Sequence, residues 1–234
     1  MATEKAEPRI TRKMLQTPTL AQARRVLGGK LPSVFEKYDF PAQGIVITED
    51  GPKVPVYVAS DQGFKYPGKQ ALRKDIHPSL EEKGAFILDP FAMCGEFVEP
   101  SLFDQNRPLV DLIKDWGWFN DNVIHTVNYG LAIPRAGLVF AICEGAVLDD
   151  GMSAEIAYAA TNFCPVVAAR SDFHLNENVA TGINPAVRVF AHPRYHGGSY
   201  HENPIEDSAY QSAFNAAEKI IQRILQNWEI LKNS

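Results

Sequence analysis

Glu155 is the residue of this chain best placed to do chemistry, and it follows the acidic stretch Asp149, Asp150 and Gly151. A carboxylate kept ionised by a helix N-terminus and by backbone N–H groups can attack an electrophilic carbon. Two other roles fit the residue type. Glu155 can cap a helix, although its distance from Asp150 does not match the usual capping pattern. It can also be a solvated charge beside a helix N-terminus, a contribution of about 0.3–1 kcal/mol.

The elements around Glu155 place it at a sheet edge where ligands bind. Residues 138–143 and 165–169 are apolar runs of strand length, and residues 152 to about 162 have helical spacing. The pattern predicts a βαβ unit with an acidic loop and a right-handed crossover. Ligand crevices of open α/β sheets lie at the carboxyl ends of the strands. Glu155 is therefore predicted to stand near such a crevice.

Further strands and helices are predicted on both sides of this unit. Apolar runs predict strands at residues 45–47, 54–59 and 84–90, the second of which starts the main sheet. Residues 19–27 have a helical pattern that ends at a glycine pair, and residues 205–231 repeat apolar residues as an amphipathic helix does. The alternation of strands and helices predicts an α/β fold.

The remaining segments carry weaker patterns. Residues 69–83 are expected to be helical in part, residues 91–128 have a less regular pattern, and residues 123–131 fit a helix or a loop. We predict that residues 1–50 form an N-terminal extension, since so short a segment buries little surface alone. Residues 51–234 are predicted to form the one main, catalytic domain.

Composition and charge exclude several classes of protein. The chain has 234 residues, 45% of them hydrophobic, which is enough for a sizeable core. Its net charge of -5, without a lysine or arginine cluster, argues against nucleic-acid binding. No apolar run approaches the roughly 20 residues of a membrane helix, and the charged N-terminus lacks a signal-peptide core. Cys94, Cys143 and Cys164 are predicted to be buried and reduced, which indicates a cytoplasmic protein without a membrane partner.

The order of these segments resembles the nucleoside 2-deoxyribosyltransferase family, which also contains nucleotide N-glycoside hydrolases. The similarity covers about residues 54–190 and includes the runs at 56–59, 84–90 and 165–167. It is specific in one motif, which reads Asp149-x-Gly151-x-x-x-Glu155-Ile156-x-Tyr158-Ala159. The resemblance therefore implies that the acidic loop and the helix after it form the active site.

Roles for the motif residues follow from the resemblance. In this family a glutamate at the position of Glu155 attacks the anomeric carbon of a deoxyribonucleoside, and a second nucleobase opens the resulting ester. Two displacements retain the configuration, as in retaining glycosidases. Asp149 matches an acid that contacts the nucleobase and helps to protonate it, whereas its alternative role is an N-cap that Asp150 can equally provide. Gly151 is expected to contact the substrate.

Other substrate-binding residues are implied by the same resemblance. Tyr57 and Phe64 lie near first-strand positions that line the sugar and base pocket in this family. Asn184 resembles an asparagine that reaches the sugar hydroxyls in a neighbouring subunit's site, although an Asn-Pro pair also fits a turn. The resemblance thus implies a homo-oligomer with shared active sites.

The sequence departs from the family pattern at one functional position. Family members usually carry an aspartate upstream of the loop aspartate, at a spacing that here reaches Tyr129. Asn128, or Asp61 in the loop after the first main strand, is expected to take the place of that acid. The departure leaves the substrate choice open.

His192, His196 and His201 form the histidine cluster of the sequence. Imidazoles bind zinc, but proline and paired glycines interrupt this segment, whereas metal ligands usually lie on rigid elements. A loop at the surface or beside the substrate is the favoured interpretation. No phosphate-binding glycine loop or dinucleotide motif can be assembled, and we expect no metal and no cofactor.

The sequence predicts an α/β three-layer sandwich with a central, mainly parallel sheet of the flavodoxin or Rossmann type. The expected activity is 2'-deoxyribosyl transfer, with nucleosides and nucleobases as partners and no nucleic acid. Two alternatives remain. One is a hydrolase of nucleosides or nucleoside 5'-monophosphates, and the other is a nucleotide-binding protein without turnover.

Overall fold

The computed structural model describes residues 17–40, 44–60, 66–104, 106–144, 149–170, 185–194, 196–202 and 208–232. The strands in these ranges are β1 (Val46–Thr48), β2 (Gly51–Ser60), β3 (Ala85–Leu88), β4 (Leu138–Ile142), β5 (Val166–Arg170) and β6 (Ser199–Glu202). The α-helices are α1 (Leu20–Val26), α2 (Ser33–Lys37), α3 (Tyr66–Ala71), α4 (His77–Glu81), α5 (Pro90–Gly95), α6 (Leu109–Trp118), α7 (Ile133–Arg135), α8 (Asp150–Thr161), α9 (Pro185–Phe190) and α10 (Ser208–Lys232). A π-helical stretch at Leu72–Ile76 joins α3 to α4, a 3-10 helix spans Pro100–Phe103, and a π-helical segment at Phe119–Ala132 joins α6 to α7.

The sheet is mostly parallel, and its strand order reverses once. The parallel strands lie in the order β3-β2-β4-β5-β6, and β1 pairs antiparallel with β2. Counted along the chain, this is the 2-1-3-4-5 order of flavodoxin-type sheets, which bind ligands at the carboxyl ends of the strands beside the reversal. Here the reversal falls between β2 and β4, where Ser60 pairs with Ile142.

Helices cover both faces of the sheet. Along β2, Tyr57 and Ala59 join a buried cluster with Ile156 of α8, whereas Val56 and Val58 join the cluster that contains α10. A strand imposes this alternation on successive side chains. Burial on both faces also explains the nearly continuous apolar sequences of β4 and β5. The predicted three-layer α/β sandwich is confirmed.

Helices α1 and α2 pack on the same face as α8. Thr19 begins α1 with a capping box: its hydroxyl accepts a hydrogen bond from the Gln22 N–H at 3.2 Å, and the Gln22 side chain accepts one from the Thr19 N–H at 2.8 Å. Ala23 and Phe35 are buried in the cluster that contains Tyr57. The domain boundary between residues 50 and 51 stays a prediction.

The predicted amphipathic C-terminal helix is present as α10. Its residues Ala213, Ala217 and Ile221 are buried against the sheet, and Lys219 and Arg223 are exposed. None of the helices in the described ranges is long and apolar enough to cross a membrane. The length of α10 instead covers one face of the sheet.

Residues 91–128 are more regular than the sequence suggests. Among the described residues, α5, α6 and most of the second π-helical segment lie there. Two features make these helices difficult to recognise from the sequence. Leu109, Val110 and Ile113 of α6 are exposed, so apolar residues do not mark the buried side. The i→i+5 hydrogen bonds of a π-helix also depart from the 3.6-residue period on which pattern recognition relies.

The sequence prediction is also wrong at one helix boundary and in one strand. Helix α8 begins at Asp150 rather than at residue 152, because Asp149 is its N-cap. Part of the histidine-rich segment forms strand β6, parallel to β5, rather than a loop. The side chains of β6 are partly buried or exposed, so the apolar run that marks a buried strand is missing from the sequence.

Candidate active site

Glu155 lies on the second turn of α8 and is only 9% exposed. Its Oε1 atom accepts hydrogen bonds from the Tyr57 hydroxyl at 2.6 Å and from Asn128 Nδ2 at 3.1 Å. The three residues come from α8, β2 and the π-helical segment 119–132. We call them the carboxylate cluster. It lies against β2, one of the two strands at the reversal of the sheet.

Both hydrogen bonds of the cluster reach the same carboxylate oxygen. In the part of the chain that the structure describes, Oε2 of Glu155 receives no hydrogen bond. Hydrogen bonds to an ionised carboxylate are about twice as strong as neutral ones, so the two donors fix the side chain through Oε1. Oε2 is the oxygen that can form a bond with another group.

Burial raises the pKa of Glu155 from its usual value of 4.5 to about 7. The hydrogen bonds from Tyr57 and Asn128 oppose this increase, and the charge of Asp149 adds to it. Loss of solvation therefore outweighs the stabilising donors. As a result, Glu155 changes its charge in the neutral range, where groups with catalytic roles often titrate.

The tyrosines around Glu155 stay protonated at neutral pH. Burial, followed by the charge of Glu155, raises the pKa of Tyr57 well above its usual value of 10 and that of Tyr129 to about 12. Both hydroxyls can donate hydrogen bonds, but neither becomes a base near neutrality. Glu155 is thus the member of the carboxylate cluster whose charge varies there.

Asp149, rather than Asp150, is the N-cap of α8. Its Oδ1 atom accepts a hydrogen bond from the Met152 N–H at 2.9 Å. Gly151 leaves room for this cap, because a Cβ atom at position 151 would lie 2.9 Å from Asp149 Oδ1. The Asp149 side chain is exposed, and Oδ2 takes no part in the cap. The capping role therefore leaves one carboxylate oxygen for a ligand.

Tyr129 occupies the position where the family resemblance implies an acid. Its hydroxyl donates to the Gly151 carbonyl oxygen at 3.5 Å. Its ring stacks on His125 with centroids 5.8 Å apart and meets the Tyr158 ring edge-on at 5.2 Å. Asn128, the preceding residue, is the one that contacts Glu155. An amide thus stands beside this carboxylate as a hydrogen-bond donor.

Three predicted site residues, Asp61, Phe64 and Asn184, lie outside the residues that the structure describes. Their roles in substrate binding stay predictions. So does the homo-oligomer with shared active sites, which depends on Asn184. The other predicted residues fall into two groups, the carboxylate cluster and the first turn of α8 with its cap.

Cys94 contacts the carboxylate cluster, although the sequence does not indicate it. Its thiol, on α5, donates to Asn128 Oδ1 with 3.6 Å between sulfur and oxygen. The prediction of three buried, reduced cysteines is confirmed. The contact between residues 94 and 128 depends on packing of α5 against the π-helical segment, which leaves no local signal in the sequence.

The three histidines of the predicted cluster have separate contacts. Nδ1 of His192 accepts a hydrogen bond from a backbone N–H at 3.2 Å, the His196 ring packs on Phe163, and Nε2 of His201 lies 2.9 Å from Ser199 Oγ. No group of three histidine, cysteine, aspartate or glutamate side chains in the described ranges is arranged to hold a metal ion.

No protein-family model matches the sequence, and no curated protein matches it significantly. Solved structures to which this chain is similar include a 2-deoxyribosyltransferase from the psychrotolerant bacterium Bacillus psychrosaccharolyticus, which is 16% identical over 70% of this chain and 90% of that chain, with a TM-score of 0.40. A conserved protein from Enterococcus faecalis V583 is 15% identical over 73% of this chain and 99% of its own, with a TM-score of 0.43. A 2-desoxiribosyltransferase from Leishmania mexicana is 15% identical over 70% of this chain and 98% of its own, with a TM-score of 0.39.

Proposed function

We propose that this protein exchanges the nucleobase of a 2'-deoxyribonucleoside through a covalent ester on Glu155. The observation that carries the proposal is the geometry of the carboxylate cluster. A buried glutamate is held by two donors on Oε1 and, among the described residues, receives no hydrogen bond on Oε2, beside the reversal of the sheet. Glu155 is also the residue that the motif resemblance assigns as the nucleophile.

In the first displacement, Oε2 of Glu155 forms a bond with C1' of the deoxyribose while the bond from C1' to the nucleobase nitrogen breaks. The electron pair of the broken bond goes to the base, which takes up a proton as it leaves. Asp149 is assigned to the base through Oδ2, which takes no part in the cap of α8, and it transfers a proton drawn from solvent. The negative charge of Glu155 stabilises the positive charge that develops on the sugar.

In the second displacement, a nitrogen of another nucleobase attacks C1' and the ester bond to Oε2 breaks. The incoming base gives its proton to Asp149, the reverse of the transfer in the first displacement, and Glu155 regains its negative charge. Tyr57 and Asn128 donate to Oε1 throughout, so they stabilise the carboxylate as it departs from the sugar. Two displacements on opposite faces return the original configuration at C1'.

The proposed sugar is deoxyribose rather than ribose. A 2'-hydroxyl withdraws electrons from C1' and destabilises the positive charge of the transition state. A site whose main catalytic group is a single carboxylate gives its largest rate with the sugar that tolerates this charge best. We accordingly infer that ribonucleosides react more slowly than 2'-deoxyribonucleosides.

The test is to incubate the purified protein with deoxyadenosine, with and without free cytosine, and to separate the products by chromatography. Transfer gives deoxycytidine and adenine when cytosine is present. Deoxyribose and adenine without an acceptor would instead identify a hydrolase. If the nucleoside binds and no product forms, the proposal that this protein catalyses nucleobase exchange is overturned.

A pair of variants locates the nucleophile. Glu155→Ala is expected to lose the product while remaining folded, because no carboxylate is left to form the ester. Asp150→Ala removes an exposed acid from the start of the same helix and is expected to keep activity. Full activity in a folded Glu155→Ala variant would refute the assignment of the nucleophile.

A further inference from the structure

The Asn128 amide has a defined orientation beside Glu155. Asn128 is 5% exposed, and its Nδ2 donates to Glu155 Oε1 at 3.1 Å. On its other side, Oδ1 accepts the hydrogen bond of the Cys94 thiol. An asparagine amide carries two donors on nitrogen and an acceptor on oxygen, so each end of this amide faces a partner of the matching kind.

The reversed orientation of the amide would make the contact with Glu155 repulsive and would weaken the contact with Cys94. It would turn Oδ1 toward Glu155 Oε1, and two oxygens without a proton between them repel each other. It would also turn Nδ2 toward Cys94 Sγ, which is a weak acceptor. The thiol therefore favours the one orientation in which Glu155 has its second donor.

From these contacts we infer that Cys94 is a positioning residue, which orients the Asn128 amide and through it stabilises the charged form of Glu155. This inference rests on the proposed function for its catalytic meaning. The contact itself depends only on the geometry of α5, the π-helical segment and α8. Cys94 touches neither the reacting carboxylate oxygen nor, by this inference, the substrate.

The Cys94 thiol acts as a donor over the whole working range of pH. Burial, then the charges of Glu155 and Asp89, raises its pKa to about 12. A thiolate would accept rather than donate and would reverse the preference of the amide. Since the proton stays on sulfur near neutral pH, the thiol remains a donor to Asn128 Oδ1 across the range in which Glu155 changes its charge.

Cys164 offers a matched control because it is also buried and its thiol also donates a hydrogen bond. Its acceptor is the backbone carbonyl oxygen of Ala136, at 3.4 Å. Replacing Cys164 with valine removes a buried thiol without touching the Asn128 amide. An effect confined to Cys94 thus separates amide orientation from a general loss of packing.

The experiment measures the pKa of Glu155 directly, by the 13C chemical shift of glutamate side-chain carboxyls in labelled protein. The Glu155 signal is identified by its absence in Glu155→Gln. We expect Cys94→Val and Cys94→Ala to raise the pKa of Glu155 by about one unit, the effect of weakening one hydrogen bond. Cys94→Ser keeps a donor and is expected to restore the original value, and Cys164→Val is expected to leave it unchanged.

A pKa of Glu155 that is equal in wild type and in both folded apolar variants at position 94 would overturn the inference. An equal increase in Cys164→Val would overturn it too, because packing alone would then explain the effect. The measurement needs no turnover, so it remains decisive if nucleobase exchange is not observed. If nucleobase exchange is observed, the apolar variants are expected to lower kcat at pH 7 about fivefold with little change in KM, because a pKa one unit higher leaves about a fifth as much ionised Glu155.

Discussion

The Tyr57 hydroxyl lies 2.6 Å from Glu155 Oε1, although the two residues are 98 positions apart in the chain. Tyr57 projects from β2, and Glu155 from α8, which follows β4. The reversed strand order makes β2 and β4 neighbours and brings this donor and this acceptor together. The proposed nucleophile is thus fixed by the topology of the sheet.

The rate of nucleobase exchange is expected to rise with pH through about 7. Glu155 must be ionised to attack C1', and burial raises its pKa to that value. A profile of kcat/KM against pH measures this increase in the free enzyme. A rate that falls across the same range would indicate that Glu155 acts as an acid and would contradict its nucleophilic role.

Replacing Tyr57 with phenylalanine is expected to move this increase to higher pH. The variant removes a hydroxyl that stabilises the ionised carboxylate, so the pKa of Glu155 should rise by about one unit and the rate at pH 7 should fall roughly fivefold. Tyr158→Phe is the control, because it removes a hydroxyl from α8 itself and keeps the ring that packs on Tyr129. If the two variants give the same pH profile, the bond between Tyr57 and Glu155 has no role in catalysis.

Asn128→Asp tests whether an amide suits this position better than an acid. The substitution replaces a donor 3.1 Å from Glu155 Oε1 with a carboxylate of similar shape. Two carboxylates this close disfavour ionisation of both, so the pKa of Glu155 should rise and the rate at pH 7 should fall at least tenfold. Asn122→Asp makes the same charge change on the same helical segment, where the side chain bonds the Trp118 carbonyl oxygen. Steady-state kinetics of both variants, with unchanged circular dichroism, provide the comparison.

The sequence indicates the parts of the fold in which side-chain pattern and burial agree. Residues 138–143 and 165–169 are apolar because β4 and β5 are covered on both faces, and α10 shows its buried stripe at helical spacing. The sequence pattern does not predict an element when its apolar side chains are exposed or when its strand lacks a buried apolar run. Leu109 and Ile113 of α6 are exposed, and β6 has no buried run. Strand order also lies beyond local pattern, because it depends on how distant strands pair.

The residues of the candidate site also differ in whether the sequence alone can predict their roles. Glu155 and Asp149 belong to a local motif, which makes them visible in the sequence. Tyr57 and Asn128 can be suggested by position, but their common acceptor, Oε1, appears only when three elements pack together. Cys94 has no motif at all, since its contact with Asn128 is purely tertiary.

Glu155→Gln is expected to stabilise the protein at alkaline pH while abolishing turnover. The pKa of Glu155 is about 7 in the folded chain and is taken as 4.5 when unfolded. Its protonated form therefore contributes to stability fully below pH 4.5, and this contribution is lost as pH rises through 7. Glutamine keeps the uncharged state, so at pH 8 the variant should exceed wild type by up to roughly 3 kcal/mol. Urea unfolding at pH 4 and pH 8 measures this difference, which should nearly vanish at the lower pH.

Gly151→Ala is expected to be about 1 kcal/mol less stable than Gly117→Ala, a variant within α6, because the usual cost of a lost N-cap is of this size. The new Cβ atom would lie 2.9 Å from Asp149 Oδ1 and displace the capping carboxylate. Gly117→Ala, within α6, is the control because a Cβ atom there meets nothing within 4 Å. Alanine in a helix is favoured over glycine by up to about 1 kcal/mol, so this variant should be more stable than wild type. Denaturant unfolding in which Gly151→Ala is as stable as Gly117→Ala would contradict the role of Gly151.

Three elements meet at Oε1 of Glu155: β2, the π-helical segment 119–132 and α8. The pKa of Glu155 therefore shows whether all three are docked. A partly folded chain in which any one of these elements is undocked exposes the carboxyl to water or deprives it of a donor, and its pKa moves away from 7. Only the chain in which all three elements are docked holds Glu155 in a fixed orientation and gives it a pKa near 7. Misassembled copies of this chain would therefore lack the titration of Glu155 near pH 7.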